Sequence, residues 1–176
     1  MTEIALRDAT TADIPALHGL IESAYRGEAS RAGWTTEADL LDGQRTDPED
    51  LAAILADPAQ ALLTAWRGDE LVGCVLIADR GEGTGYFGML SIRPTLQGGG
   101  LGRRLVRAAH AALADRFGAR RVRISVFPQR ETLIAWYERL GYQRTGETLP
   151  FPYGNPRFGL PKRDDLHFVV MERKLD

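Results

Sequence analysis

The chain has 176 residues, of which 44% are hydrophobic, 26% charged and 8% aromatic, the profile of one ordinary folded domain. Twenty-two Lys and Arg against 24 Asp and Glu give a net charge of −2, so no overall field favours nucleic acid or a membrane surface as partner. One cysteine, Cys74, excludes an internal disulfide and a multi-cysteine metal site; without a leader-like pattern or an apolar run near the roughly 20 residues that span a bilayer, the expected location is cytoplasmic.

Ile4 to Arg7 alternates apolar and polar residues and predicts a first strand. Thr10 to Asp13 supplies capping residues, and Ile14, Leu17, Ile21 and Ala24 then recur at helical spacing. From Arg26 to Pro48 the chain is polar and weakly periodic, which predicts a loop with one short helix. Leu51 to Leu55 continue as a helical turn that Asp57-Pro58 stops. The apolar runs Ala61 to Trp66 and Glu70 to Asp79 are joined by Arg67-Gly68-Asp69, a hairpin signal. Cys74 lies inside the second run and reads as a core thiol rather than a nucleophile.

Tyr86 to Arg93 is the next predicted strand, ended by Pro94. Gln97 to Gly102 is glycine-rich and opens a helix running to about Phe117, with Leu101, Leu105, Ala109, Ala112 and Leu113 on its buried face and Gly118 as its cap. Arg121 to Phe127 alternates as a strand, and Glu131 to Leu140 forms a helix closed by Gly141. A short strand is expected at Tyr142 to Thr145 and a last one at Leu166 to Met171. Between them, Gly146 to Asp165 holds four prolines and three glycines; so long a loop suggests function. The order predicts an α+β protein with a mixed sheet, one domain over residues 1–176.

Four glycines at the mouth of a helix leave its first N–H groups uncovered, an anion site suited to phosphate or pyrophosphate. Arg103, Arg104 and Arg107 crowd the same positive end, a placement that favours a phosphate-bearing ligand over an empty helix. A Walker loop is excluded, since no lysine follows these glycines. The dinucleotide fingerprint Gly-x-Gly-x-x-Gly also fails, with Arg103 or Leu105 at its third glycine. His18, His110 and His167 have no metal-ligand spacing, and no metal is expected.

Strand, then Gln97-x-x-Gly100-x-Gly102, then helix resembles the [Gln/Arg]-x-x-Gly-x-[Gly/Ala] loop of the GNAT superfamily of acetyl-CoA-dependent N-acetyltransferases. Downstream, Leu133-Ile134-Ala135-Trp136-Tyr137-Glu138-Arg139-Leu140-Gly141-Tyr142 resembles that family's helix end. The resemblance implies a mostly antiparallel mixed sheet with helices on both faces, splayed where acetyl-CoA enters. It implies that Gln97, Gly98, Gly99, Gly100, Leu101, Gly102 and Arg103 hold the pyrophosphate, and that Leu90, Ser91 and Ile92 pair with the pantetheine. A backbone N–H near Leu90 would stabilise the oxyanion. Leu133 falls on the cofactor side. Tyr137 matches the tyrosine that often protonates the departing thiolate, which a phenol can do. The expected reaction is direct attack by the amine, without an acyl-enzyme.

Two positions depart from the family pattern. Arg130 stands where asparagine is common near the pantetheine, which points to charge attraction to the phosphates of CoA. Many members carry a glutamate on the strand before the loop, whereas Tyr86 to Arg93 contains no acid. The base is then Glu28, Glu37 or Asp39, or water relayed by backbone.

On the acceptor side, Arg26, Glu28, Arg31, Trp34 and Glu37 form a polar and aromatic stretch suited to recognition, and Tyr153 and Arg157 in the long loop have the same character. Arg26, Arg31 and Arg157 are candidates to clamp a carboxylate. The expected activity is acetyl transfer to a primary amine of a small molecule. The alternatives are a CoA-binding sensor without turnover, a peptide N-terminus as acceptor, O-acetylation, or a longer acyl donor. A homodimer is common in such families.

Overall fold

A computed structural model describes residues 3–33 and 36–176, apart from the side chains of Glu28, Ala29 and Phe158. The chain runs β1 (Ile4–Asp8), α1 (Ile14–Tyr25), β2 (Leu41–Asp42), α2 (Pro48–Ala56), β3 (Gln60–Arg67), β4 (Glu70–Asp79) and β5 (Thr84–Ile92). It continues as α3 (Leu101–Phe117), β6 (Arg121–Val126), α4 (Glu131–Arg139), β7 (Gln143–Pro150), β8 (Leu160–Pro161) and β9 (His167–Lys174). Seven strands form one sheet in the order β1-β3-β4-β5-β6-β9-β7, while β2 pairs with β8. Every pairing is antiparallel except β5 with β6. The mixed sheet expected from the sequence is present.

Strand alternation sends side chains to two faces, and each face meets its own helices. Leu63, Val75, Ile77 and Phe87 pack with Leu105, Ala109 and Leu113 of α3 and with Leu133, Ile134 and Tyr137 of α4. Leu62, Cys74, Leu76 and Met89 face the other way, against Leu17, Ile21 and Ala24 of α1 and Leu51 and Ile54 of α2. A third cluster joins Leu40, Leu41, Phe127, Phe151 and Leu166 below the open end of the sheet.

Helix α2 starts at Pro48, three residues before the expected turn, because Asp47 caps it by accepting the Asp50 N–H at 2.7 Å. The short helix expected between Arg26 and Pro48 is a 3₁₀ turn at Glu28–Ala32.

The long loop is a correction. The strand expected to stop at Thr145 extends to Pro150, so the segment's first residues belong to the sheet. Strand β7 is the sheet edge and is exposed along its whole length. Its pairing with β9 therefore needs backbone groups but no apolar alternation, and no hydrophobic period announces it. Farther on, β8 pairs with β2, and Lys162 Nζ donates to the Ala38 carbonyl at 2.7 Å, which fastens the tail to the loop after α1.

Candidate active site

Strands β5 and β6 pair only through Thr84, Gly85 and Tyr86, and the sheet opens beyond them. Opposite β4, the register of β5 shifts between the Leu76–Gly88 and Cys74–Ser91 pairs, the mark of a bulge. Met89 lies in this bulge with φ +51°, a conformation uncommon for any residue but glycine and a recurrent feature of functional sites. The bulge is tied down from both sides. Ser91 Oγ donates to the Met89 carbonyl at 2.9 Å, and the buried Tyr25 hydroxyl at the end of α1 donates to the Leu90 carbonyl.

The gap leads to a cavity of about 300 Å³. Leu90, Val126, Leu133 and Phe127 give it apolar walls, Tyr25 and Tyr137 phenolic ones, and Phe151 and Pro152 of the tail close one side. Its charged groups among the described residues are Arg26, Glu37, Arg45 and Arg130. Glu37 Oε1 accepts from Arg26 at 2.6 Å and Oε2 from Arg130 at 3.2 Å. The side chains of Arg26 and Glu37 are 4% and 10% exposed and that of Arg130 is 9%, so these ions lie in a region largely shielded from water. Gly159 lies directly over Arg26: a Cβ added there would meet Arg26 Nη2 at 3.2 Å.

Tyr137 is buried on α4, its ring held by Phe87, Trp136 and Tyr142 at centroid separations of 5.9, 5.1 and 5.8 Å. Among the described residues its hydroxyl meets no hydrogen-bond partner. Burial holds this phenol well above its ordinary pKa of about 10, and Tyr25 nearby adds to the effect. Burial likewise pushes Tyr25 up to about 12 and the Cys74 thiol to about 12.

At the other end of the gap, Gly98 and Gly100 take φ +91° and +87°, which glycine adopts without strain. Gly100 is the N-cap of α3, and among the described residues no side chain caps that helix. Among the described residues, no atom lies within 4 Å of the points where Cβ atoms would stand on Gly98 and Gly100. Uncapped amides, an unobstructed approach and the exposed Arg103 in the first turn fit a pyrophosphate such as that of CoA. The Gln97 side chain supports the loop from behind, donating to the Ile92 carbonyl at 3.0 Å and packing on Gly33. Along the flank of α3, Arg103, Arg107, Arg139 and Arg173 line a groove that has no carboxylate among its lining residues.

The sequence model of the acetyltransferase (GNAT) family matches residues 21–142, which includes the cavity-bearing half of α1, the glycine loop and α4. The chain belongs to this family. A mycothiol acetyltransferase of Salinispora tropica is 34% identical over 148 residues, covering 81% of this chain and 45% of that protein, so the chain spans less than half of that relative's length. The fold is likewise similar to that of yncA from Salmonella typhimurium, solved with its cofactor acetyl-CoA (TM-score 0.70, 19% identity, 98% of this chain and 94% of that one). It is also similar to the ribosomal-protein-S18-alanine N-acetyltransferase from Escherichia coli (TM-score 0.71, 14% identity, 99% and 95% of the chains).

Set in a GNAT fold, the residues expected from the sequence fall into two groups. Leu90, Arg130, Leu133, Tyr137, Arg26 and Glu37 share one cavity. Ser91 and Ile92 are buried in β5, and Gly98 to Gly102 open α3 as expected. Arg130 points to Glu37 rather than to the glycine loop, because a buried guanidinium takes the carboxylate within reach.

Arg31, Tyr153 and Arg157 are not among the residues lining the cavity. Arg31 pairs with Asp39 at the surface, and Arg157 makes a two-pronged pair with Asp47 at 2.8 and 2.9 Å. Tyr153 is 44% exposed and fastens the tail, donating to the Arg163 carbonyl and accepting from the Leu166 N–H. Trp34 and the Glu28 side chain lie outside the described residues. Of the other candidate bases, Asp39 is 80% exposed and lies at the surface, which leaves Glu37 as the described carboxylate in the cavity. Tyr25 and Arg45 were missed by sequence reasoning; neither carries a local motif, and only the packing of α1 and the following loop on β5 brings them in.

Proposed function

We propose that the chain is an acetyl-CoA-dependent N-acetyltransferase acting on the primary amine of a small molecule, with residues 1–176 forming one such domain. The observation that carries this reading is the convergence, at the end of the β5–β6 gap, of a buried neutral phenol and a carboxylate in one small cavity. Bound acetyl-CoA supplies an acetyl group already activated as a thioester. The amides of Gly98 to Gly100 with Arg103 would hold its pyrophosphate, and the β5 edge from Leu90 to Ile92 with Leu133 its pantetheine.

Tyr137 stays protonated throughout the physiological range and can donate its O–H to a leaving sulfur. Glu37 uses one lone pair on each oxygen for its two arginines and keeps others free, so it can accept a hydrogen bond from the incoming amine, orient it and take the proton that the nitrogen gives up as the new C–N bond forms and the C–S bond breaks. Cys74 is fully buried, with its thiol pushed up to about 12, which supports direct attack by the amine over an acyl-cysteine. The enclosure of the cavity by Phe151 and Pro152 favours a small acceptor over a protein N-terminus.

The test is release of CoA thiol from acetyl-CoA against a panel of amines, with mass spectrometry of the product. Amine-dependent release with acetyl on nitrogen is expected, and Tyr137→Phe should lower kcat about 10²-fold while acetyl-CoA still binds. Acetyl-CoA binding without release from any amine would point to a sensor instead.

A further inference from the structure

Arg45 belongs to the cavity, yet nothing in the proposed chemistry uses it. It sits in the loop between β2 and α2, and that loop is held firmly. Glu22 Oε1 on α1 accepts the N–H of Arg45 at 2.8 Å and of Thr46 at 3.0 Å, Thr46 Oγ1 donates to Asp50, and Asp47 caps α2. The backbone thus presents the Arg45 side chain over the ring of Tyr25, its guanidinium carbon 5.4 Å from the ring centroid. Among the described residues no carboxylate pairs with that guanidinium; Glu22 is engaged by backbone, and Glu37 by Arg26 and Arg130. A half-buried cation in such a place attracts an anion.

We propose that the acceptor carries a carboxylate beside its amine, and that Arg45 takes this carboxylate. This rests on the acetyltransferase reading for the amine, and it narrows the acceptor to amino acids and related amino-carboxylates. Tyr25 sets the geometry. Its hydroxyl is fixed on the Leu90 carbonyl at the bulge, while its ring face carries Arg45, so one side chain links the reacting end of β5 to the anion-binding group. The guanidinium fork can grip a carboxylate through two parallel N–H···O bonds and set its direction, which keeps the adjacent amine in the cavity that Glu37 and Tyr137 also line. The Arg26, Arg31 and Arg157 clamp expected from the sequence is replaced: Arg26 is occupied by Glu37, and the other two lie off the cavity.

The test reads binding, so it does not depend on turnover. The protein is titrated calorimetrically with a series of amino acids as free acids and with the α-amides of the same compounds, and the series is repeated on Arg45→Met. At least one free acid should bind about tenfold or more tightly than its amide, and Arg45→Met should abolish that difference while leaving amide affinity in place. The fold of the variant is checked by its melting curve, since the anchoring bonds to Glu22 come from backbone and persist. Amides binding as well as acids, a preference that survives in Arg45→Met, or no binding of any free acid at millimolar concentration would each overturn the proposal. A carboxylate preference without acetyl transfer would leave the anion site standing and remove the acetyltransferase reading.

Discussion

On the α3 side of the cleft the binding surface is main chain: Gly98 and Gly100 turn at positive φ, and among the described residues no side chain caps the first amides of the helix or lies within 4 Å of the points where Cβ atoms would stand on these two glycines. Across the cavity it is side chain: Tyr25 and Arg26 at the end of α1, Glu37, Arg45, and Arg130 at the start of α4 arrive from four segments and hold one another in a cavity largely shielded from water. The first surface needs only space and backbone conformation, so substitution there should disturb binding more than folding. The second is a network of buried charges, where removal of one member takes a charge partner from the others.

The largest effect should follow from Glu37→Ala. Arg26 and Arg130 would each lose a buried partner, and we expect a loss of about 3–5 kcal/mol in urea unfolding together with loss of turnover. A change below about 1 kcal/mol would place these charges in effective contact with water and break the contrast between the two sides.

Next in size is a pH effect on the same side. Tyr25 ionises near 10 when unfolded and near 12 when folded, so the folded state holds its proton more tightly. The resulting stability is complete below pH 10 and is lost as pH rises towards 12. Over that window wild type should lose about 2 kcal/mol more than Tyr25→Phe, read from unfolding curves at successive pH values. Equal losses would mean that the hydroxyl is not buried as described.

On the glycine side, Gly100→Ala meets no steric obstacle among the described residues but must adopt φ +87°. A cost of about 1–2 kcal/mol is expected, with the fold intact and acetyl-CoA affinity reduced. Smallest of all is Arg31→Ala, which removes a surface pair whose partner is 80% exposed. Stability should shift by less than about 1 kcal/mol and turnover should not change.

The same contrast explains what could be read from the sequence. Gly98, Gly99, Gly100 and Gly102 lie together in the chain, so a site made of backbone leaves a local signature, and the strand–loop–helix order around it was legible. Arg45 lies in a polar stretch with no period, and only the hydrogen bonds of its N–H and that of Thr46 to Glu22 and the packing of Tyr25 on Leu90 give it a place in the cavity. Arg157 and Tyr153 looked like recognition residues because they sit in a Pro- and Gly-rich tail, yet their pairings with Asp47 and Arg163 serve to fasten that tail. Strand β7 was invisible beyond Thr145 for a related reason. An exposed edge is specified by backbone pairing, which composition does not record.

The most direct measurement is calorimetric titration of the protein with acetyl-CoA, on wild type and on Gly100→Ala. We expect micromolar binding by wild type, weakened in the variant with an unchanged melting profile apart from the strain cost. Absence of binding by wild type at micromolar concentration would contradict the glycine-loop assignment, and the acetyltransferase function would fall with it.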